Sequence, residues 1–186
     1  MPPIQIVAQA IGILGMIIIV LSYQQKKQSL LIALQLIGSA LFAVNYFMIG
    51  ALTGALLNIV SVLRSLVFLN KKRLHAEHPA WLFGFIAVYL AFYALTFTAF
   101  QKPFTPHAAA VEFLPVVGMT VTTIAYRHNQ ASLTRKLGFI NSPCWLLYNV
   151  AAFSIGGIIG ESVSLISIIV GLLRLDYKKT SDENQP

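Results

Sequence analysis

The sequence predicts an all-α integral membrane protein: seven transmembrane helices, arranged as two parallel three-helix-bundle repeats joined by a linker helix. Three observations lead there. Hydrophobic residues make up 57% of the 186 residues, charged residues 10%, and the mean hydropathy is +0.75. So little polar surface cannot face water on all sides. The apolar residues fall into seven stretches of near-spanning length. Finally, the chain repeats itself. A copy shifted by 103 residues lays Gly12–Lys72 over Pro115–Leu175 with 13 identities in 61 positions, where shared apolar composition supplies roughly four or five. Gly15-Met16 falls on Gly118-Met119, Tyr23 on Tyr126, Ser29-Leu30 on Ser132-Leu133, Gly54 on Gly157, and Val60-Ser61 on Val163-Ser164.

The first span, 4–23, has no basic residue before it, so it reads as a retained helix rather than a cleaved leader. The second and third, 30–50 and 53–70, are separated by a tight turn from Gly50 to Gly54. The fourth, 80–100, has no counterpart in the repeat. The fifth, 109–126, opens the second copy, and the sixth and seventh, 137–154 and 157–175, meet at Gly156-Gly157. An odd helix between the copies makes both enter the membrane in the same sense. The units are therefore 1–73 as the first repeat, 74–104 as the linker, 105–179 as the second repeat and 180–186 as a disordered cytoplasmic tail.

Loop charges set the orientation. Lys26, Lys27, Lys71, Lys72, Arg73, Arg127, Arg135, Lys136, Arg174, Lys178 and Lys179 lie at one end of the spans, and only Lys102 lies at the other. This places the N-terminus outside and the C-terminus in the cytoplasm. The net charge of +7 is spread over short loops, which argues against nucleic acid. A single cysteine, Cys144, excludes an internal disulfide. His75 and His78 flank Glu77 but make only a weak metal site without further ligands, and His107 and His128 lie on opposite sides, so neither metal nor cofactor is expected. Nothing resembles a nucleophile elbow or a phosphate loop, and an enzyme is not expected.

Met48-Ile-Gly-Ala-Leu-Thr-Gly-Ala-Leu-Leu-Asn58 with Arg64, Glu112-Phe-Leu-Pro-Val-Val-Gly118, and Trp145-Leu-Leu-Tyr-Asn149 with Ser154-Ile-Gly-Gly157 and Glu161 resemble the YgjV family of bacterial inner-membrane proteins over nearly the whole chain. More distantly, the three-one-three plan is similar to the SWEET and PQ-loop transporter superfamily. The Pro-Gln signature of that superfamily is replaced here by Tyr23-Gln24-Gln25 and Tyr126-Arg127-His128. The resemblance implies a bacterial inner-membrane location. It also implies a solute site at Asn58 and Glu161, where SWEET-like transporters carry paired asparagines.

The residues themselves point to the same place. Asn58 and Glu161 are repeat equivalents at mid-membrane, each with a serine three residues on, Ser61 and Ser164, sharing its helical face. Asn141, Trp145 and Asn149 recur every fourth residue with Tyr148 beside them, opposite Gly38, Phe42, Tyr46 and Asn45 in the first copy. Rings beside amides suit recognition of a sugar-like solute. An interfacial aromatic belt and helix-packing hydrogen bonds, including one from Asn58 to Glu161, are the plainer reading.

Arg64 lies ~10 Å from the inner end of its span and is expected to snorkel to the surface. Glu112 reads as an interfacial residue or, more sharply, as an outer-gate hydrogen-bond partner, with Pro115 and its counterpart Gly12 as pliable backbone positions. The expected function is facilitated movement of a small polar solute, the two bundles rocking about span four within the bilayer. The alternative is a non-transporting scaffold, in which Asn58, Glu161 and Trp145 satisfy one another without a cavity. Association with further copies of the chain is left open.

Overall fold

A computed structural model describes residues 3–49, 52–99, 101–151 and 155–177, and every regular element among them is helical. The helices are α1 Pro3–Ser22, α2 Gln28–Met48, α3 Leu52–Leu69, the single turn α4 Lys71–Leu74, α5 Pro79–Thr98, α6 Pro106–Arg127, α7 Ala131–Ala151 and α8 Ile155–Gly171. The last runs on into a π-helical turn, Leu172–Tyr177. Two starts show the local chemistry directly. Thr105 accepts the Ala108 N–H through Oγ1 at 3.1 Å, and Pro106 follows where no N–H is needed. His78 does the same for α5 through Nδ1 to Ala80 N at 3.2 Å, ahead of Pro79.

Five helical segments are long and apolar enough to cross a bilayer: Ile4–Ser22, Gln28–Met48, Pro79–Thr98, Pro106–Arg127 and Gly157–Tyr177. Gly54–Leu69 is a shorter apolar helix. The helix α7 has the length but carries Thr134, Arg135, Lys136, Asn141, Ser142 and Asn149, which dilute its apolar character. The spans read from sequence fall within a few residues of these helices, except that α7 starts at Ala131 rather than 137. Arg135 in its second turn is paired with Asp176, and the helix continues where hydropathy fades. The tight turn expected at Gly156-Gly157 is helical, because α8 already begins at Ile155. Gly50, Ser154, Lys178, Lys179 and the tail 180–186 lie outside the described residues.

Helix α2 packs against both α1 and α3, and α7 against both α6 and α8. Contacts of α1 with α8 and of α3 with α6 join these two sets, and α5 leans on α6 and α3. Repeat-equivalent glycines make equivalent approaches. A Cβ on Gly15 would touch the Phe42 ring at 3.4 Å, and one on Gly118 would touch Trp145 at 3.3 Å. A Cβ on Gly54 would lie 3.0 Å from the Tyr46 ring, and one on Gly157 only 2.3 Å from Asn149 Oδ1. Gly54 and Gly157 therefore let Tyr46 and Asn149 rest directly on a neighbouring helix backbone.

The distribution of polarity is the inverse of a water-soluble protein. Large apolar side chains such as Phe47 (71% exposed), Phe83, Ile166 and Leu173 face outward. Gln35, Asn45, Arg64, Thr123, Ser142, Asn149 and Ser164 are buried. This is the pattern a bilayer imposes, with hydrocarbon outside and polar groups turned towards one another.

Candidate functional site

A cavity of about 110 Å³ lies among α1, α2, α3, α6, α7 and α8, and α5 contributes nothing to its wall. The wall is built from equivalent positions of the two sequence copies. Asn58 pairs with Glu161, Ser61 with Ser164, Phe42 with Trp145, Tyr46 with Asn149, Met16 with Met119 and Ile19 with Thr122. Helical periodicity puts each serine on the face of the amide or acid three residues before it.

Of the residues singled out from sequence, Asn58, Glu161, Trp145, Asn149, Phe42, Ser61 and Ser164 come together around this cavity. Asn141, on the face of Trp145 and Asn149, joins them. Asn45 and Tyr148 are not part of the wall. The Asn45 amide donates to Ala8 O at 2.6 Å and clamps α2 to α1. Tyr148 meets the Trp145 ring edge-on at 5.8 Å. Gly12 is needed for that same clamp, since a Cβ there would lie 3.0 Å from Asn45 Nδ2. Pro115 is buried within α6. Glu112, 6% exposed, forms an ion pair at 2.5 Å with the half-exposed Lys102 of the α5–α6 loop.

Asn58 donates to Gly54 O of its own helix at 2.9 Å, and the alternative packing bond between Asn58 and Glu161 is absent among the described residues. Glu161 lies near Tyr23, Tyr46 and Ser142. Ser142 Oγ is buried beside it without a hydrogen bond of regular geometry.

The expectation for Arg64 is overturned. Its side chain is 5% exposed and turns inward instead of reaching the surface. Nη1 donates to Met119 O at 3.2 Å and to the Tyr89 hydroxyl at 3.4 Å, and the guanidinium stands 5.1 Å from the centre of the Tyr126 ring. Nε has no partner. Position 64 falls on the face of α3 turned towards α5 and α6, where these acceptors are waiting; distance to the helix end was the wrong guide. Arg64 lines the cavity, as do Gln35, Tyr23 and Thr122. The spacing of Asn58, Ser61 and Arg64, three residues apart each time, is the signal that placed Arg64 on this face.

The end of the bundle that carries most of the basic residues is tied together across the two helix sets. Gln24 Nε2 donates to Ser167 O and Oγ at 2.7 and 2.8 Å, and Ser167 Oγ donates to Val20 O at 2.7 Å. Gln28 Nε2 donates to Thr134 at 2.9 Å, and the Tyr126 hydroxyl donates to Gln35. Arg135, 2% exposed, holds Asp176 through Nε and Nη2 at 2.8 and 2.5 Å. Its Nη1 reaches Gln25 O at 2.8 Å and Tyr23 O at 3.3 Å. Lys71 donates to Arg127 O, and Arg127 Nη2 to Glu77 O at 2.8 Å.

Residues 6–179 match Imp-YgjV, a family described as bacterial inner membrane protein. The chain belongs to this family. It is 24% identical over 167 residues to the inner membrane protein YgjV of Escherichia coli (strain K12), covering 90% of this chain and 83% of that protein. No solved structure matches significantly. As a member of the Imp-YgjV family, the chain is a multi-pass inner membrane protein whose apolar helices contact the lipid bilayer.

Proposed function

We propose that the chain is a transporter or facilitator for a small polar solute, working by alternating access between two parallel three-helix repeats with α5 as linker, a three-one-three, SWEET-like plan. The observation that carries this reading is the cavity between α1–α3 and α6–α8, lined by equivalent positions of both copies. A scaffold would satisfy its buried polar groups against one another. Here no hydrogen bond joins Asn58, Glu161 and Trp145, and Arg64 Nε is unpartnered. Intramembrane polar groups of this kind are expensive unless a solute or water uses them.

The charge asymmetry supports an outside N-terminus and a cytoplasmic C-terminus. The hydrogen-bonded basic end is then the cytoplasmic gate, closed by Gln24–Ser167, Gln28–Thr134 and Arg135–Asp176. Rocking the repeats would break these bonds and deliver the cavity to the cytoplasm. The cycle requires no covalent chemistry.

Solute counterflow in proteoliposomes tests the proposal, with monosaccharides, disaccharides and amino acids offered and Glu161→Ala as the control. Accumulation of one class, lost in the variant, is the expected result. No flux for any class from the parent protein, with the Glu161→Ala variant equally stable, would sink the transporter reading in favour of a scaffold.

A further inference from the structure

The cavity wall contains one basic and one acidic side chain, Arg64 and Glu161. No ion pair joins them. The ion pairs among the described residues are Lys71–Glu77, Lys102–Glu112 and Arg135–Asp176. An arginine stays protonated in a protein, so this wall keeps a positive charge. The partners of the guanidinium are a carbonyl, a hydroxyl and a ring face, and none of them brings a negative charge. An uncompensated charge away from water is costly to hold.

The two side chains reach the same cavity from different helices, Arg64 from α3 and Glu161 from α8. The Arg64 guanidinium is held there by its bond to Met119 O of α6. Arg64 gets there because a helical side chain leans back towards its helix N-terminus.

We infer that the cavity binds a small zwitterion, its carboxylate on Arg64 and its ammonium on Glu161, with Asn58, Ser61 and Ser164 available for the remaining polar groups. The inference rests on the cavity being the solute site proposed above and names its solute class. A neutral sugar would leave the Arg64 guanidinium without an opposite charge and Glu161 without a cation to hold its carboxylate. A ligand with one charge of each sign compensates both, and the volume of about 110 Å³ confines it to a small molecule.

Binding to the purified full-length protein in detergent tests this without any need for transport. Titration calorimetry would compare alanine with propionate, ethylamine and glucose. Alanine should bind at least about tenfold more tightly than each of the other three, the worth of one charged contact. Arg64→Gln should remove alanine binding. Glu161→Gln should reverse the order, so that propionate binds more tightly than alanine. Should either variant fail to fold, the four-compound panel on the unaltered protein decides alone. Glucose binding as tightly as alanine, or no alanine binding at all, overturns the inference. Counterflow separates it from the transport proposal. Alanine binding without alanine flux leaves the zwitterion site standing and removes the transporter, whereas sugar flux without alanine binding does the reverse.

Discussion

Replacing Arg135 by alanine is the sharpest test of the proposed cytoplasmic gate. The guanidinium makes two bonds to Asp176 and one each to the carbonyls of Gln25 and Tyr23, so a single side chain joins α7, the π-helical turn and the α1–α2 connection. Gly171 makes that approach possible, since a Cβ there would lie 2.6 Å from Tyr23 O. Hydrogen bonds to charged groups contribute about 1.5–3 kcal/mol each. Water at the membrane surface would take up part of what the truncation leaves bare. We therefore assign about 3 kcal/mol to the loss, the lower end for breaking a buried pair. If that energy holds the gate shut, its removal raises the open population on the order of a hundredfold.

Ser164 lines the cavity, and Cys144 is the single native cysteine. A Ser164→Cys reporter in a Cys144→Ser background can be labelled in inside-out vesicles with a membrane-impermeant maleimide. Labelling should be slow in the parent and on the order of a hundredfold faster with Arg135→Ala. Asp176→Asn should raise it by only about tenfold, because Arg135 keeps its two carbonyl bonds. A rate for Arg135→Ala within about twofold of the parent, in protein that remains folded, would refute the gate assignment.

Gly157→Ala must move Asn149 from 2.3 Å and should cost about 1–3 kcal/mol of stability in thermal unfolding, whereas Gly54→Ala meets the Tyr46 ring at 3.0 Å and should cost less. Asn45→Ala removes the clamp to Ala8 O and should lose about 1 kcal/mol in the same assay, with solute binding by calorimetry unchanged. Arg64→Met replaces a buried, incompletely partnered cation by an apolar chain of similar length. Its melting temperature should be equal to or above the parent's, while carboxylate binding is lost; a large fall in stability would mean the guanidinium is mainly a structural prop.

Much of the fold was legible because a bilayer is a demanding solvent. Each helix must be apolar outside and close its own backbone hydrogen bonds, so helix positions stand out in the hydropathy, and only the polar α7 was read short at its start. The repeat made the site partly legible as well. Equivalent positions meet equivalent surroundings, and Asn58, Ser61, Glu161 and Ser164 all reached one cavity. Asn45 and Arg64 were misread for a shared reason. Their helical face follows from periodicity, but what meets that face belongs to another part of the chain: Ala8 lies 37 residues from Asn45, and Met119 lies 55 from Arg64.

By itself, then, the amino-acid order determined a membrane-embedded helical chain, the approximate helix limits, the internal repeat and the charge asymmetry of its ends. These are local or summed properties, and they survive without knowledge of any neighbour. The tertiary structure alone decided which polar groups are spent on packing and which are left facing the cavity. It put Asn45 on a backbone carbonyl, tied Arg135 across the basic end and turned Arg64 inward beside the cavity that Glu161 also lines. A polar side chain in hydrocarbon takes the partner that packing brings within about 3 Å, and that partner is chosen by the docking of whole helices.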